Sequence, residues 1–116
     1  MKRLVTFVLV TLFLFSIVGL AQAQYPERPI QTIVTYAAGG GTDVGVRVLA
    51  KYMEPIIGES LVIVNREGGG GEVGWVEIAN SKPDGYTIGN FNNAAIMASS
   101  MRDTQYHPIE DFEFIG

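Results

Sequence analysis

The chain has no cysteine, one histidine, one tryptophan, and eight lysines and arginines against twelve acidic residues. Each shortage removes a class of function. Without cysteine there is no disulfide framework and no thiolate for a redox or zinc site, so an exported domain of this sequence is held by its apolar core alone. A single histidine leaves no second imidazole with which to build a metal centre. The net charge of −4 already counts Lys2 and Arg3 at the extreme N-terminus, and the remainder is more acidic still. A nucleic-acid surface is therefore excluded. Linkers, low-complexity tracts and sequence repeats are also missing.

What stands at the N-terminus gives the compartment. Lys2 and Arg3 precede an uncharged apolar run over residues 4–20, and Ala21, Gln22 and Ala23 follow as a small-x-small cleavage site. Residues 1–23 read as a signal peptide and residues 24–116 as the exported part. An uncleaved anchor is the rival reading, since the run lies at the lower edge of spanning length, and the cleavage motif weighs against it. With no cysteine near Gln24, a lipid anchor is excluded, and a soluble periplasmic protein is expected.

The stretch over residues 31–50 carries the most information about activity. β-Branched Ile33 and Val34 favour a buried strand, and the strand runs into Gly39, Gly40 and Gly41; Thr42 and Asp43 then open an amphipathic segment. Glycines permit close approach of backbone to a ligand, and the first amides of a helix lack internal partners. Those amides and the helix dipole attract a carboxylate or phosphate without any lysine or arginine. Glycine can also serve a tight strand-to-helix turn for geometry alone.

Strand, loop and helix then alternate. Residues 30–36 read as a strand, and residues 43–57 as a helix placing Val44, Val48, Tyr52 and Ile56, with Leu49, Met53 and Ile57, on one face before Gly58 stops it. Residues 61–65 form a second strand, residues 68–71 a second glycine turn, and Val73, Val76 and Ala79 a shorter helix. After a turn at Pro83, Asp84 and Gly85, residues 86–91 give a third strand, Asn92 and Asn93 are good caps, and residues 94–101 form a third helix. Residues 112–116 are a further strand-like apolar run. Three repeats of this pattern predict an α/β fold with a parallel sheet, in which every strand-to-helix loop lies at one edge and the loops at 39–42, 68–71 and 90–93 converge on one crevice.

Enzyme motifs fail when tested. Gly69, Gly71 and Gly74 match dinucleotide-binding spacing, but the next strand ends at Asn90 and Phe91 with no acid for a ribose. Val46 and Arg47 after Gly45 exclude a Walker loop. His107, before Pro108, reads as a solvated turn residue, Ser99 and Ser100 lack a nucleophile-elbow setting, and Trp75 as packing or a partial lid. Glu110, Asp111 and Glu113 read as the wet face of a strand and not as a metal cluster. No catalytic residue, metal site or cofactor is expected.

In one order the chain carries Tyr25-Pro26-Glu27-Arg28-Pro29-Ile30, then Ala37-Ala38-Gly39-Gly40-Gly41-Thr42-Asp43, Asn65-Arg66, the glycines at 68–71, and Pro83-Asp84-Gly85-Tyr86-Thr87. This sequence resembles the periplasmic solute-binding component of tripartite tricarboxylate transporters, the Bug-type receptors, over essentially all of residues 24–116. Departures are Thr35 where proline is common, Glu67 after Asn-Arg, and Asn92-Asn93-Ala94-Ala95 in place of a Ser/Gly/Thr-type loop.

The resemblance implies a type II-like, two-lobed periplasmic binding protein, of which residues 24–116 would be the N-terminal part of the first parallel-sheet lobe, the second lobe lying outside this sequence. It implies a monomeric receptor that captures a small carboxylate and delivers it to separate permease subunits, with no chemistry of its own. Gly39, Gly40, Gly41 and Thr42 would form a carboxylate cradle, with Asn92, Asn93 and Ala94 lining the same cleft. Asp43 belongs to the family motif; physically it reads as an early helix acid that offsets the dipole, since beside a ligand carboxylate it would repel. The fold alone leaves open a secreted enzyme, a nucleotide-binding domain, or a receptor serving a sensor kinase.

Overall fold

The computed structural model describes residues 25–115; the leader read over residues 1–23 lies outside them. The order is β1 (Ile30–Val34), α1 (Gly41–Ile57), β2 (Leu61–Asn65), a 3₁₀ turn (Gly69–Gly71) running into α2 (Glu72–Ala79), β3 (Thr87–Gly89) and α3 (Asn93–Met101). The sheet is β2-β1-β3, and both pairings are parallel, with Ile30 opposite Leu61 and Gln31 opposite Thr87. This is the α/β parallel-sheet architecture expected from the alternation of strands and helices.

Side chains on β1 alternate between two covered faces. Ile30 joins Ala50 of α1 and Leu61 of β2, with Met53, Ile57, Ile63 and Ile88 packed around them. On the opposite face α2 approaches so closely that a Cβ added to Gly74 would lie 2.7 Å from Thr35 Cγ2, and one added to Gly89 would collide with Ile78. Ile33 and Val34 are fully buried, each worth on the order of 1.5–3 kcal/mol of apolar burial. Gly58 ends α1 in the left-handed region at φ 79°, its N–H donating to Glu54 O at 2.9 Å.

Three expectations are corrected. Val44, Val48, Leu49, Tyr52 and Ile56 are 51–83% exposed, so the stripe read as one apolar face is split: only Met53 and Ile57 of that set pack on the sheet, beside Ala50. Asp43 is drawn inward instead, because its carboxylate is hydrogen-bonded on arrival. Residues 112–115 form no strand; the rings of Phe112 and Phe114 pack on Phe91, with centroids 4.8 and 5.2 Å away. Asp111, read as part of a wet strand face, instead accepts the His107 N–H at 2.6 Å within a turn.

β2 spans the expected residues, whereas β1 and β3 are shorter than the strands expected over residues 30–36 and 86–91. Thr35 follows β1, but its N–H goes to Asn90 Oδ1 at 2.9 Å and not to a ladder partner. A side chain ends the ladder on that side.

Candidate functional site

All three strands point the same way, so the chain leaves each of them at one edge. Arg66 N–H donates to Val34 O at 2.8 Å and Asn90 N–H to Ile33 O at 3.2 Å, which brings the loops after β2 and β3 against the end of β1. The glycine turn before α1 and the asparagine turn before α3 open from this edge. Both are helix N-termini, where backbone N–H groups lack intrahelical partners.

The glycine turn is built by Asp43. The residue is 2% exposed, and Oδ2 accepts the Gly39 N–H at 2.8 Å and Arg47 Nε at 2.9 Å, while Oδ1 accepts Asn65 Nδ2 at 2.9 Å. The Arg47 hydrogen bond first, then those of Gly39 and Asn65, hold this carboxyl well below the usual carboxylate range against the opposing effect of burial. An ionised Asp43 is thereby satisfied within the protein. Gly39 needs to be glycine for its φ of 79°, whereas Gly40 sits at φ −72° with its N–H 3.2 Å from Ala37 O.

These bonds sort the donors of the predicted cradle. The Gly39 amide is committed to Asp43 and the Gly40 amide to Ala37, and Val44 N–H closes the first helical bond on Gly40 O at 2.9 Å. The amides of Gly41, Thr42 and Asp43 precede that ladder at the positive end of a 17-residue helix. The amides without an intrahelical partner therefore begin at Gly41, immediately after the two engaged glycines.

The second turn has the same economy. Asn92 caps α3, its Oδ1 accepting the Ala94 N–H at 3.1 Å, and its Nδ2 donates to Tyr36 Oη at 2.8 Å. Ala94 thus contributes no free amide, and Asn93 is exposed at the first helical position. Behind this turn Trp75 is fully buried among Tyr36, Phe91 and Tyr106, with Nε1–H donating to Asn90 O at 3.2 Å. Trp75 is a packing residue and not a lid. The third loop is held by Arg102, which reaches Glu72 Oε2 at 2.6 Å and Gly69 O at 3.3 Å.

Two hollows lie elsewhere. One of about 650 Å³ flanks the free side of β3 beside Ile78, Phe91, Phe112 and Phe114, and one of about 510 Å³ lies over Val62 and Val64 between Arg28 and Arg66. None of the seven residues expected to hold ligand, nor Asp43 of the same motif, lines either one. At the helix-terminal edge Ala37, Ala38, Gly39, Gly41 and Asn93 are exposed.

Residues 45–116 match the tripartite tricarboxylate transporter family receptor, a span that begins inside α1 and includes the asparagine turn. The chain belongs to this family. It is similar to protein BugT of Bordetella pertussis, at 42% identity over 90 residues that make up 75% of this chain and 28% of that protein. A solved structure described as a periplasmic transporter superposes at a TM-score of 0.68 with 36% identity, covering 74% of this chain and 30% of the other. An R. palustris protein solved with adipate is 34% identical at a TM-score of 0.54, covering 56% of this chain and 22% of its own. The chain spans about a third of the length of the curated relatives it matches.

Sequence reasoning found both turns but missed the residues that join them. Tyr36, Asn65 and Asn90 stand at strand ends, where an asparagine or tyrosine carries no periodic signal. Arg47 lies four residues after Asp43, a spacing that could have shown their pairing.

Proposed function

We propose that this chain is the first-lobe portion of a periplasmic receptor that captures a small carboxylate and passes it to membrane permease subunits, without catalysing a reaction. Residues 1–23 would be the cleaved leader and residues 24–116 part of the first lobe, in a receptor that works as a monomer. The observation that carries this reading is the pair of helix N-termini opening from one edge of the sheet, with Asp43 and Asn92 orienting the backbone around each. Amides of Gly41 and Thr42 on one side, and of Asn93 on the other, form a donor set that favours an anion through fixed dipoles.

Gly39 and Gly40 shape the first turn, and Ala94 and Asn92 the second. Asp43 acts structurally: its negative charge is answered by Arg47 and two further donors, which lessens its repulsion of a bound carboxylate. A second lobe closing over the open edge would supply the burial that small-molecule sites require. The adipate held by an R. palustris relative supports a dicarboxylate as the first ligand to try.

Proline at position 41 tests the donor set. It deletes one amide at the first helical residue, where proline suits the helix, and Gly40 already has the extended backbone that a following proline requires, at φ −72° and ψ 167°. In the full-length protein, Gly41→Pro should weaken adipate binding about ten- to hundredfold, the loss of one charge-assisted hydrogen bond, with helicity unchanged. Calorimetry showing undiminished affinity would remove this turn from the site.

A further inference from the structure

The glycine turn and the asparagine turn are joined by hydrogen bonds through Asp43, Asn65, Tyr36 and Asn92, the link at Tyr36 passing from its backbone carbonyl to its hydroxyl. Asn65, the last residue of β2, donates from Nδ2 both to Tyr36 O at 3.0 Å and to Asp43 Oδ1 at 2.9 Å. Its Oδ1 accepts Arg47 Nη2 at 3.2 Å, so both ends of the amide are engaged. Asp43 in turn holds the Gly39 N–H, and the Tyr36 hydroxyl receives Asn92 Nδ2, whose Oδ1 holds the Ala94 N–H. One amide thus contacts the carboxylate that folds the first turn and the residue whose ring anchors the second.

We propose that Asn65 is a positioning residue that couples the two turns, so that the amides before α1 and those before α3 are presented as a single site. Asn65 need not touch the ligand. Its place is on the sheet side of the network, where a planar group with two donors and one acceptor meets a carbonyl, a carboxylate and a guanidinium at once. Aspartate has the same shape and lacks both donors. Alanine lacks all three. The coupling lowers the reorganisation needed when a ligand engages both turns, since neither can relax independently of the other.

The inference rests on the carboxylate reading for its functional meaning, and the test separates the two. Amide hydrogen exchange in the ligand-free full-length protein reads the coupling directly. Asn65→Ala should raise exchange at Gly39 and at Ala94 together, each by about tenfold, as both held amides lose their support. A rise at Gly39 alone, or at neither, overturns the proposal. Asn65→Asp provides the same readout should the alanine variant fail to fold.

Adipate binding then supplies a second arm. At about pH 8, Asn65→Asp faces the Asp43 carboxylate without a donor, with Arg47 and the Tyr36 carbonyl as its other neighbours, and affinity should fall about tenfold or more relative to wild type. Toward about pH 5 a proton shared between the two carboxyl groups restores one hydrogen bond, so the ratio of wild-type to variant affinity should narrow. Taking the ratio at each pH cancels the titration of adipate itself. A ratio that stays constant with pH overturns the positioning role. If wild-type protein binds neither adipate nor other small mono-, di- and tricarboxylates while the paired exchange response is seen, the carboxylate reading fails and the coupling stands.

Discussion

Asn90 folds its side chain onto Thr35, donating from Nδ2 to the Thr35 hydroxyl at 3.1 Å while its Oδ1 receives the Thr35 N–H at 2.9 Å. Thr35 is fully buried, so water cannot replace either bond. Asn90→Leu should therefore cost about 1–3 kcal/mol, the desolvation of an orphaned backbone donor, and denaturant unfolding measures it. Asn90→Asp restores the acceptor and should recover part of the loss at neutral pH. Equal losses for both variants would show that the bond to the Thr35 N–H is unimportant.

Gly71 stands at φ 110°, and a Cβ there would lie 2.7 Å from the Trp75 ring. Strain and collision act together in Gly71→Ala, which should destabilise the fold by more than about 1–3 kcal/mol. Gly70, at φ 72° with open space around it, carries the backbone strain alone. Its alanine variant should lose less, and a reversed order in chemical denaturation would contradict the packing of Trp75 against this turn.

At the first turn the two glycines should differ. Gly39→Ala places a side chain at φ 79°, costing about 1–2 kcal/mol of backbone strain, whereas Gly40→Ala keeps an ordinary φ and meets only Ala37 O at 3.2 Å. Thermal unfolding should rank the Gly39 variant as the less stable.

Asn92→Ala removes the cap of α3 and the bond to Tyr36. A capping loss of about 1 kcal/mol is expected from the first alone. Comparing it with Tyr36→Phe, which leaves the cap in place, separates the two contributions in a double-mutant cycle.

The depressed pKa of Asp43 sets a direction with pH. Its folded-state value lies below that of the unfolded chain, so its contribution is present above about pH 4 and is lost as pH falls through the folded value. Asp43→Asn should be less stable than wild type at neutral pH, and the gap should close in acid. A gap independent of pH would show that the ionised carboxylate is not what holds the turn.

Much of this was legible in the sequence, for identifiable reasons. The β-branched runs at Ile33-Val34 and Val62-Ile63-Val64, and the glycines at both ends of α1, fix strands and helix limits through backbone preference, which is local. The buried side of α1 was not legible, because apolar residues cover two adjacent stripes and periodicity fits both. What selects the inner one is a polar residue, Asp43, whose partners at positions 39, 47 and 65 are brought together only by folding. The same holds for the strand ends: Thr35 and Asn90 are 55 residues apart, and no pattern within either strand announces their pairing. The two turns could be placed on one edge from alternation of elements, but the division of their amides between held and open needed the side-chain bonds.

The single tryptophan gives the protein an optical consequence. Trp75 is sealed from water, its ring centroid lies 6.4 Å from that of Tyr36 and 5.8 Å from that of Tyr106, and Tyr36 is a member of the run linking the two turns. Its emission should be blue-shifted and fed by excitation of those neighbouring phenols. Any rearrangement that moves Tyr36 would change the colour and yield of one fluorophore, so the molecule carries an intrinsic lamp at the edge from which both turns open.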